Sequence, residues 1–391
     1  MDDLLLDYGM KPSDPPQFPL NGIRPRSIIV SHAHLDHSGI VPNLMDLKLD
    51  VFMTPPTRDI SYLMGKDTIK IGKEQGILPF IEEDLKKFME KTTLVSYNED
   101  FFTSGYSVRL HDAGHIPGSS CIYLEGKKSL LYTGDINTMD TRLINGADPN
   151  YPAADILIIE STYYNKSHPN RAELEKAFIE SITETLDNGG NAIIPCFAVG
   201  RTQEIVMILH AHGFSPYVDG MGIEVFEIIE KSPSFLKDEK ELTEAFDNVR
   251  FVKRRRRSGV LSEPSIVVTT AGMLNGGPVL YYISKIHNDP MSKILLTGYQ
   301  VEDTNGRKAI EQHRIEVDGR ILNIIAKVEQ YDFSAHADDA GLKSIVSKFC
   351  DSGVECVFTV HGDDTKGFAE WIRENCECDA IAPENGDEVS L

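Results

Sequence analysis

A histidine-rich loop that follows an apolar run constrains this fold more than any other stretch. The loop, residues 31–39, reads SHAHLDHSG, and the run before it predicts a buried strand that ends where the histidines begin. Its potential metal ligands are His32, His34, Asp36 and His37. Imidazole and carboxylate groups suit zinc and related divalent ions. The loop therefore predicts a metal site at a strand end, and chance histidines in a polar loop are the weaker interpretation.

Further potential ligands follow other predicted strands. They are His115, Asp135 and His361. Each alone is more often structural, but together they supply the ligands that a second ion needs. We predict that one ion binds His32, His34 and His115. We predict that the other binds Asp36, His37 and His361, with Asp135 bridging both. Asp7 ends another predicted strand, and we expect it to orient a ligand histidine from behind.

Length and composition indicate a globular enzyme. The chain has 391 residues, of which 41% are hydrophobic, enough for two ordinary domains. Its longest apolar runs are strand-sized, and its acidic N-terminus does not resemble a signal peptide, so we expect a soluble cytoplasmic protein without a membrane span. The six cysteines lack C-x-x-C spacing, and we expect reduced thiols.

The net charge of −21 argues against non-specific coating of nucleic acid. Local charge can still differ, because two divalent ions would add positive charge at the site. Residues 253–257, KRRRR, form a concentrated basic run. This run predicts either phosphate contact or merely a solvated surface.

The middle of the chain alternates strands and helices, which predicts a parallel sheet. Three strand–turn–helix units have glycines in their turns, among them Gly200 before Arg201, Gly272 and Gly298. Such glycines let backbone amides approach a phosphate at a helix N-terminus, although tight turns alone also require them. Full Rossmann and Walker patterns are missing, so we predict no nucleotide cofactor.

The last segment returns to site chemistry. His336 lies in the stretch YDFSAHAD and is followed by a predicted helix and by the strand that ends in His361. Because ligands come from both ends of the chain, the middle must be an inserted domain. We predict one metal-binding domain from residues 1–164 and 331–391, with residues 165–330 inserted.

These motifs resemble metallo-β-lactamase-fold nucleases with a β-CASP insertion, a family that includes the endonuclease subunit of the cleavage and polyadenylation factor, RNase J and their archaeal relatives. The matching stretches are HAHLDH at 32–37, GH at 114–115, GD at 134–135, ESTY at 160–163, SAHAD at 334–338 and VHG at 360–362. Residues 197–204 and 270–274 resemble parts of the inserted domain. The resemblance covers nearly the whole chain, and the order of Glu160, His336 and His361 is specific to the nuclease branch.

The resemblance implies an α/β fold, a metallo-β-lactamase αββα sandwich with an inserted parallel-sheet β-CASP domain. The nearest pattern is an archaeal cleavage and polyadenylation specificity factor-like nuclease without appended RNA-binding domains. One feature departs from the family, because its members begin with a strand pair upstream of the strand that ends in Asp7, and this sequence starts after that pair. No predicted ligand is affected.

The resemblance also implies a zinc-dependent phosphodiesterase acting on single-stranded RNA, as an endonuclease, a 5′→3′ exonuclease or both, with two Zn²⁺ per chain. Cleavage would use a metal-activated hydroxide. Its implied catalytic residues are Asp36, Glu160 and His336. A histidine with a near-neutral pKa suits a general acid, and Glu160 would hydrogen-bond the other ring nitrogen of His336. We expect RNA contacts from Arg201, Gly272 and Ser334, and the family pattern leaves room for a homodimer or a higher homo-oligomer.

Three alternatives stand beside this interpretation. A small-molecule hydrolase of the same fold, such as a thioester hydrolase, would have no use for the insertion, Glu160 or His336. A catalytically weak RNA-processing scaffold would be expected to lose ligands that this chain keeps. A nuclease that acts on DNA stays open, because the metal chemistry does not involve the 2′-hydroxyl.

Overall fold

The computed structural model describes residues 3–390 except residues 12, 14, 149 and 318. The chain forms two compact units. Unit 1 comprises Met1–Asp140, Ile144–Ser167 and Ala335–Leu391. Unit 2 comprises Thr141–Leu143 and His168–Ser334.

Unit 1 begins with a four-stranded parallel sheet in the order β1-β2-β3-β4. Its strands are β1 (Leu4–Leu6), β2 (Ser27–Ile29), β3 (Asp50–Met53) and β4 (Thr92–Leu94). The accompanying helices are α1 (Leu35–Ser38), α2 (Pro55–Gln75) and α3 (Glu82–Lys91). Helix α2 has the expected end signals, because Thr54 caps its N-terminus, Pro55 opens it and Gly76 ends it at φ 76°.

A second sheet of unit 1 starts with a meander. Its first strands are β5 (Asp100–Thr103), β6 (Tyr106–Asp112), β7 (Ser120–Glu125) and β8 (Ser129–Tyr132), followed by β9 (Ile156–Glu160). Strands β5 to β8 pair antiparallel, whereas β8 and β9 pair in parallel.

Unit 2 contains a six-stranded, fully parallel sheet in the order β12-β11-β13-β10-β14-β17. Its strands are β10 (Ala192–Pro195), β11 (Tyr217–Asp219), β12 (Arg250–Phe251), β13 (Ile266–Thr269), β14 (Lys293–Leu296) and β17 (Lys327–Gln330). A separate antiparallel hairpin is formed by β15 (Arg314–Val317) and β16 (Arg320–Asn323). The helices are α4 (Arg171–Asp187), α5 (Arg201–Ala211), α6 (Gly222–Ile229), α7 (Glu239–Asp247), α8 (Val279–Ile286) and α9 (Asn305–Gln312). The prediction of a parallel sheet is confirmed.

The chain then returns to unit 1 and completes the second sheet. The last elements are α10 (Asp339–Asp351), β18 (Cys356–Val360), α11 (Thr365–Asn375) and β19 (Asp379–Ile381). The sheet has seven strands in the order β19-β18-β9-β8-β7-β6-β5. Strands β9 and β18 pair in parallel with Glu160 opposite Val360, so His361 directly follows the residue that pairs with Glu160.

The apolar residues of unit 1 form three layers. One cluster contains side chains of both sheets, among them Ile29, Leu110 and Ile122. A second packs α2 and α3 on the first sheet, and a third packs α10 and α11 on the second sheet. This is the αββα sandwich, and together with the parallel sheet of unit 2 it confirms the predicted fold class. Within the described part of the chain, the helices are all too short or too polar to cross a membrane.

Cys350 and Cys376 form a disulfide across 26 residues. The expectation of reduced thiols was therefore wrong for this pair. Cys350 lies in the last turn of α10 and Cys376 directly follows α11, and both helices pack in the same apolar cluster. The other cysteines, Cys121, Cys196, Cys356 and Cys378, are free thiols.

Candidate metal centre

Three histidine rings converge beyond the end of β2. The Nε2 atom of His32 lies 3.2 Å from Nδ1 of His34, and Nε2 of His115 lies 3.1 Å from the same Nδ1. His32 and His115 are buried. His115 reaches this point because the turn after β6 carries it, and its own Nδ1 donates to the carbonyl oxygen of Ala335 at 2.7 Å. That hydrogen bond leaves Nε2 with its lone pair towards the other rings.

Asp135 stands between two groups of potential ligands. Its Oδ2 lies 3.4 Å from Nε2 of His32 and 3.6 Å from Nε2 of His115. Its Oδ1 lies 3.2 Å from Nε2 of His37 and 3.6 Å from Nδ1 of His361. Each carboxylate oxygen thus faces one group, which is the geometry that a bridging carboxylate requires.

The second group consists of Asp36, His37 and His361, whose ligand atoms lie within 4.8 Å of one another. Nε2 of His361 lies 3.3 Å from Oδ2 of Asp36. His37 belongs to the short helix α1, which begins right after His34, and its ring centroid lies 4.0 Å from that of His32. The pairing of β18 with β9 brings His361 to the same place from the far end of the chain.

A glycine permits the close approach of the Asp135 loop to the histidine loop. Gly134 has φ +53°, and a Cβ atom there would lie 2.8 Å from Cβ of Ser31. Any side chain at this position would collide with Ser31 and push Asp135 away from the histidines.

The donor set fits a pair of metal ions. Nε2 of His37 and Oδ1 of Asp135 are buried and lie 3.2 Å apart, and neither atom has a further hydrogen-bond partner among the described residues. Burial, together with the neighbouring His37, holds the pKa of His32 well below its usual range, which favours the neutral ring that binds a metal. Burial also opposes protonation of His37, but Asp135 and Asp7 outweigh it and raise the pKa of His37, so a metal there would displace a proton.

Asp7 lies directly behind His37. Its Oδ2 accepts hydrogen bonds from Nδ1 of His37 at 2.7 Å and from the hydroxyl of Tyr132 at 2.7 Å. Its Oδ1 accepts from the backbone N–H of Ser31 at 2.6 Å. These contacts fix the ring of His37 with Nε2 towards Asp135, so the orienting role of Asp7 stays a prediction with a geometric basis.

Replacing Asp7 with asparagine should lower zinc affinity about 10- to 100-fold. The amide retains one oxygen for the N–H of Ser31, but its NH₂ group cannot accept from His37. Chelator competition on purified protein measures the change. Asp46→Asn is the matched control, because Asp46 is an exposed carboxylate paired with Lys87. Unchanged zinc affinity in Asp7→Asn would contradict the orienting role of Asp7.

A histidine–glutamate pair lies beside the first ligand group. Nδ1 of His336 lies 2.9 Å from Oε1 and 3.0 Å from Oε2 of Glu160, which is fully buried. Oε1 also accepts from the backbone N–H of Ile136 at 2.7 Å. The ring centroid of His336 lies 4.5 Å from that of His115. Burial opposes protonation, but the carboxylate of Glu160 outweighs it and raises the pKa of His336, so the pair can hold a proton next to the metal ligands.

Several contributing residues were not predicted from the sequence. Tyr132 supports Asp7, and the carbonyl oxygen of Ala335 orients His115. The hydroxyl of Thr162 lies 3.1 Å from Nδ1 of His361. Thr162 stands inside the ESTY motif, which was a usable signal. The roles of Tyr132 and Ala335 depend on chain segments that meet only in the folded protein.

The predicted RNA contacts all belong to unit 2. Arg201 opens α5 after β10, Gly272 follows β13 and Ser334 follows β17. Because these strands are parallel members of one sheet, the three residues follow its carboxyl edge, where ligands of open α/β sheets bind. Burial and the nearby Arg171 lower the pKa of Arg201 to about 10, and its Nε is buried without a hydrogen-bond partner in the described region.

The basic run is not uniformly available for a ligand. Arg257 donates to both carboxylate oxygens of buried Asp219, at 2.6 and 2.9 Å. Tyr282 donates to Asp219 as well, at 2.8 Å. Arg257 therefore stabilises unit 2, and only the preceding residues of the run are candidates for phosphate contact.

Comparison with known proteins decides the family. Residues 202–309 match the Beta-Casp domain, and residues 321–383 match the Zn-dependent metallo-hydrolase RNA specificity domain. The chain is 38% identical to the Probable RNase MJ4 of Methanocaldococcus jannaschii, over 99% of the chain and 94% of that protein. The chain belongs to the β-CASP nuclease family. This β-CASP chain is also 35% identical to RNase aCSPSF2 of Saccharolobus solfataricus, over 99% of the chain and 80% of that protein.

A solved structure shows the same fold. A protein of unknown function from Enterococcus faecalis matches with a TM-score of 0.60 over 100% of this chain and 94% of its own, at 12% identity. At that identity the likeness concerns the fold alone.

The resemblance to β-CASP nucleases that the motifs indicated is confirmed. The β-CASP chain uses a metal cofactor.

Proposed function

We propose that the chain is a zinc-dependent ribonuclease that hydrolyses phosphodiester bonds of single-stranded RNA in RNA processing or decay. The observation that carries the proposal is the position of Asp135, whose two oxygens face two separate ligand groups. The names of both curated relatives, each an RNase, support RNA as the substrate.

The chain would hold two Zn²⁺ ions. His32, His34 and His115 would bind one ion. Asp36, His37 and His361 would bind the other, with Asp135 shared between them. Zinc ions bound there would supply Lewis-acid stabilisation of the negative charge that develops on the phosphate.

His336 would act as the general acid. The leaving oxygen of a cleaved phosphodiester needs a proton, and Glu160 binds Nδ1 of His336, so the other ring nitrogen is the one that can deliver it. Asp36 is the other proposed catalytic residue. Its side chain is 45% exposed, so its carboxylate is accessible to the attacking water.

RNA would be bound by unit 2. The proposed contacts are Arg201 and Gly272, in the proposed inserted domain of residues 165–330, and Ser334, which follows that domain. A phosphate at Arg201 would compensate a guanidinium whose burial disfavours its charge.

The proposal predicts zinc-dependent cleavage of RNA and two zinc ions per chain. Purified protein is incubated with RNA labelled at either end and carrying either a 5′-phosphate or a 5′-hydroxyl, and the product lengths separate internal cleavage from cleavage at the 5′ end. Chelation should stop cleavage and zinc should restore it. The matched control is DNA of the same sequence. Active protein with one zinc or none in elemental analysis, or no cleavage of RNA by the zinc-loaded protein, would refute the proposal.

A further inference from the structure

Two exposed aromatic side chains stand at the carboxyl edge of the unit 2 sheet. Phe197, two residues beyond β10, is 40% exposed, and Tyr299, three residues beyond β14, is 38% exposed. Strands β10 and β14 are direct neighbours, with Ile193 opposite Ile294. Because the strands are parallel, both aromatic residues emerge at the same edge as Arg201.

Glycines border the ring of Phe197. A Cβ atom at Gly272 would lie 3.0 Å from the backbone nitrogen of Phe197 and 3.4 Å from Cδ2 of its ring. A Cβ atom at Gly298 would meet the ring at 3.9 Å, with Cε2 as its neighbour. At Gly272 and Gly298 the two loops therefore approach the ring with bare backbone, and a side chain at either position would lie against it.

The loops that surround Phe197 are held together by hydrogen bonds. The amide of buried Gln300 donates to the carbonyl oxygens of Gly298 at 3.1 Å and Gly272 at 3.4 Å. The carbonyl oxygen of Phe197 accepts from the backbone N–H of Thr202 at 3.1 Å and from its hydroxyl at 2.7 Å. The backbone around Phe197 is thus fixed before a ligand arrives, so little backbone conformational entropy is lost on binding.

The turn that carries Phe197 also carries a cationic side chain. Arg201 lies in the same turn as Phe197, and its buried Nε has no hydrogen-bond partner in the described region. An exposed aromatic ring and a guanidinium from the same turn match one nucleotide of a single strand, with the base on the ring and the phosphate at the cation. A base inside a duplex is stacked on its neighbours and cannot use such a face.

We propose that Phe197 is a specificity-determining residue that stacks on one unpaired nucleobase of the substrate, with Tyr299 extending the platform. This inference rests on the proposed ribonuclease function. It assigns the preference for single strands to unit 2, since the metal centre handles phosphates and needs no base.

The test is a thermodynamic cycle in which a protein substitution is combined with removal of a base from the oligomer. Zinc-loaded full-length protein is titrated with fluorescent oligouridine made nuclease-resistant by a phosphorothioate backbone, and with the same oligomer carrying one abasic residue at each position in turn. For wild-type protein, we expect one or two abasic positions to weaken binding about 5- to 100-fold. Phe197→Ala should weaken binding of the intact oligomer by a similar factor and should make those positions insensitive to base removal.

Matched variants separate stacking from loss of structure. Phe197→Leu retains apolar bulk without an aromatic face and should behave like Phe197→Ala, whereas Phe197→Tyr should bind like wild type. Phe102→Ala, which removes a 73% exposed phenylalanine from β5 of unit 1, should leave affinity unchanged. Zinc content and melting temperature are checked for each variant.

Unchanged affinity in Phe197→Ala, or an equal loss for intact and abasic oligomers, would overturn the stacking role and would point to a protein contact at this surface. The proposed ribonuclease function fails by a different readout, namely no cleavage of unmodified RNA by zinc-loaded wild-type protein. The two failures are therefore distinguishable.

Discussion

Asp135→Ala should leave no RNA cleavage above that of metal-stripped protein, a loss of more than about 10³-fold. The reason is geometric, because each oxygen of this carboxylate faces a different ligand group. Removing it would take a ligand from both proposed ions and would leave the histidine groups without the negative charge between them. Elemental analysis of the purified variant should show less than two zinc ions per chain, and end-labelled RNA gives the residual cleavage.

Asp135→Asn is the matched comparison. The amide keeps the shape of the side chain and one carbonyl oxygen, so one ligand group retains its partner while the other does not. We expect Asp135→Asn to lose less zinc than Asp135→Ala and still to be strongly impaired. If Asp135→Ala retained two zinc ions and substantial turnover, Asp135 would not bridge the ions.

His336→Ala should reduce turnover about 10²- to 10⁴-fold while retaining both zinc ions and RNA binding. His336 is held by Glu160 and is not among the proposed metal ligands, although Asp135, Glu160 and His336 also lie close enough to hold an ion. Its removal should therefore abolish proton delivery to the leaving oxygen and leave the zinc affinity unchanged. Single-turnover kinetics on RNA, with zinc analysis of the same preparation, measure both quantities. Loss of a zinc ion in His336→Ala would assign His336 to the ligand set instead.

Glu160→Gln should lower turnover in the same direction. The amide oxygen can still accept from Ile136, but its NH₂ group faces Nδ1 of His336 and favours a neutral ring. The double variant should be little worse than His336→Ala, because both changes disable one proton-transfer unit. A substrate with sulfur as the leaving atom needs no proton and should partly rescue both variants. A sulfur substrate that restores nothing would exclude His336 as the general acid.

The strand ends of this fold could be predicted from the sequence because apolar runs followed by ligand residues are a local signal. Ser27–Ile29, Cys356–Val360 and Ile156–Glu160 are strands. The groups of potential ligands contain His32 and His361, which follow the first two strands, and Glu160, which ends the third. Parallel pairing of β9 and β18 makes this possible, because strand ends in register lie side by side.

Other features depend on contacts between distant residues, which leave no local pattern. Tyr132 meets Asp7 across 125 residues, and His115 meets Ala335 across 220. The Cys350–Cys376 disulfide likewise requires the ends of α10 and α11 to lie close together in the folded protein. The short edge strand β12 has only two residues, both exposed, so it lacks the buried alternation that predicts a strand.

The basic run shows how a sequence pattern can mislead in one residue. A stretch of five cations predicts that all five side chains are solvated in the same way, but Arg257 forms an ion pair with buried Asp219. Charge reversal at Arg257 would destabilise unit 2 by leaving Asp219 buried without its cation. A test of RNA contact should therefore change Arg254, Arg255 and Arg256 and leave Arg257 intact.

The pairing of β18 with β9 also bears on how the protein is made. Val360 lies opposite Glu160, so the centre is closed by a strand that is synthesised 200 residues after its neighbour. During translation, the histidine loop and Asp135 leave the ribosome long before His336 and His361. A nascent chain therefore cannot assemble the full centre beside its own messenger RNA until His361 has been translated.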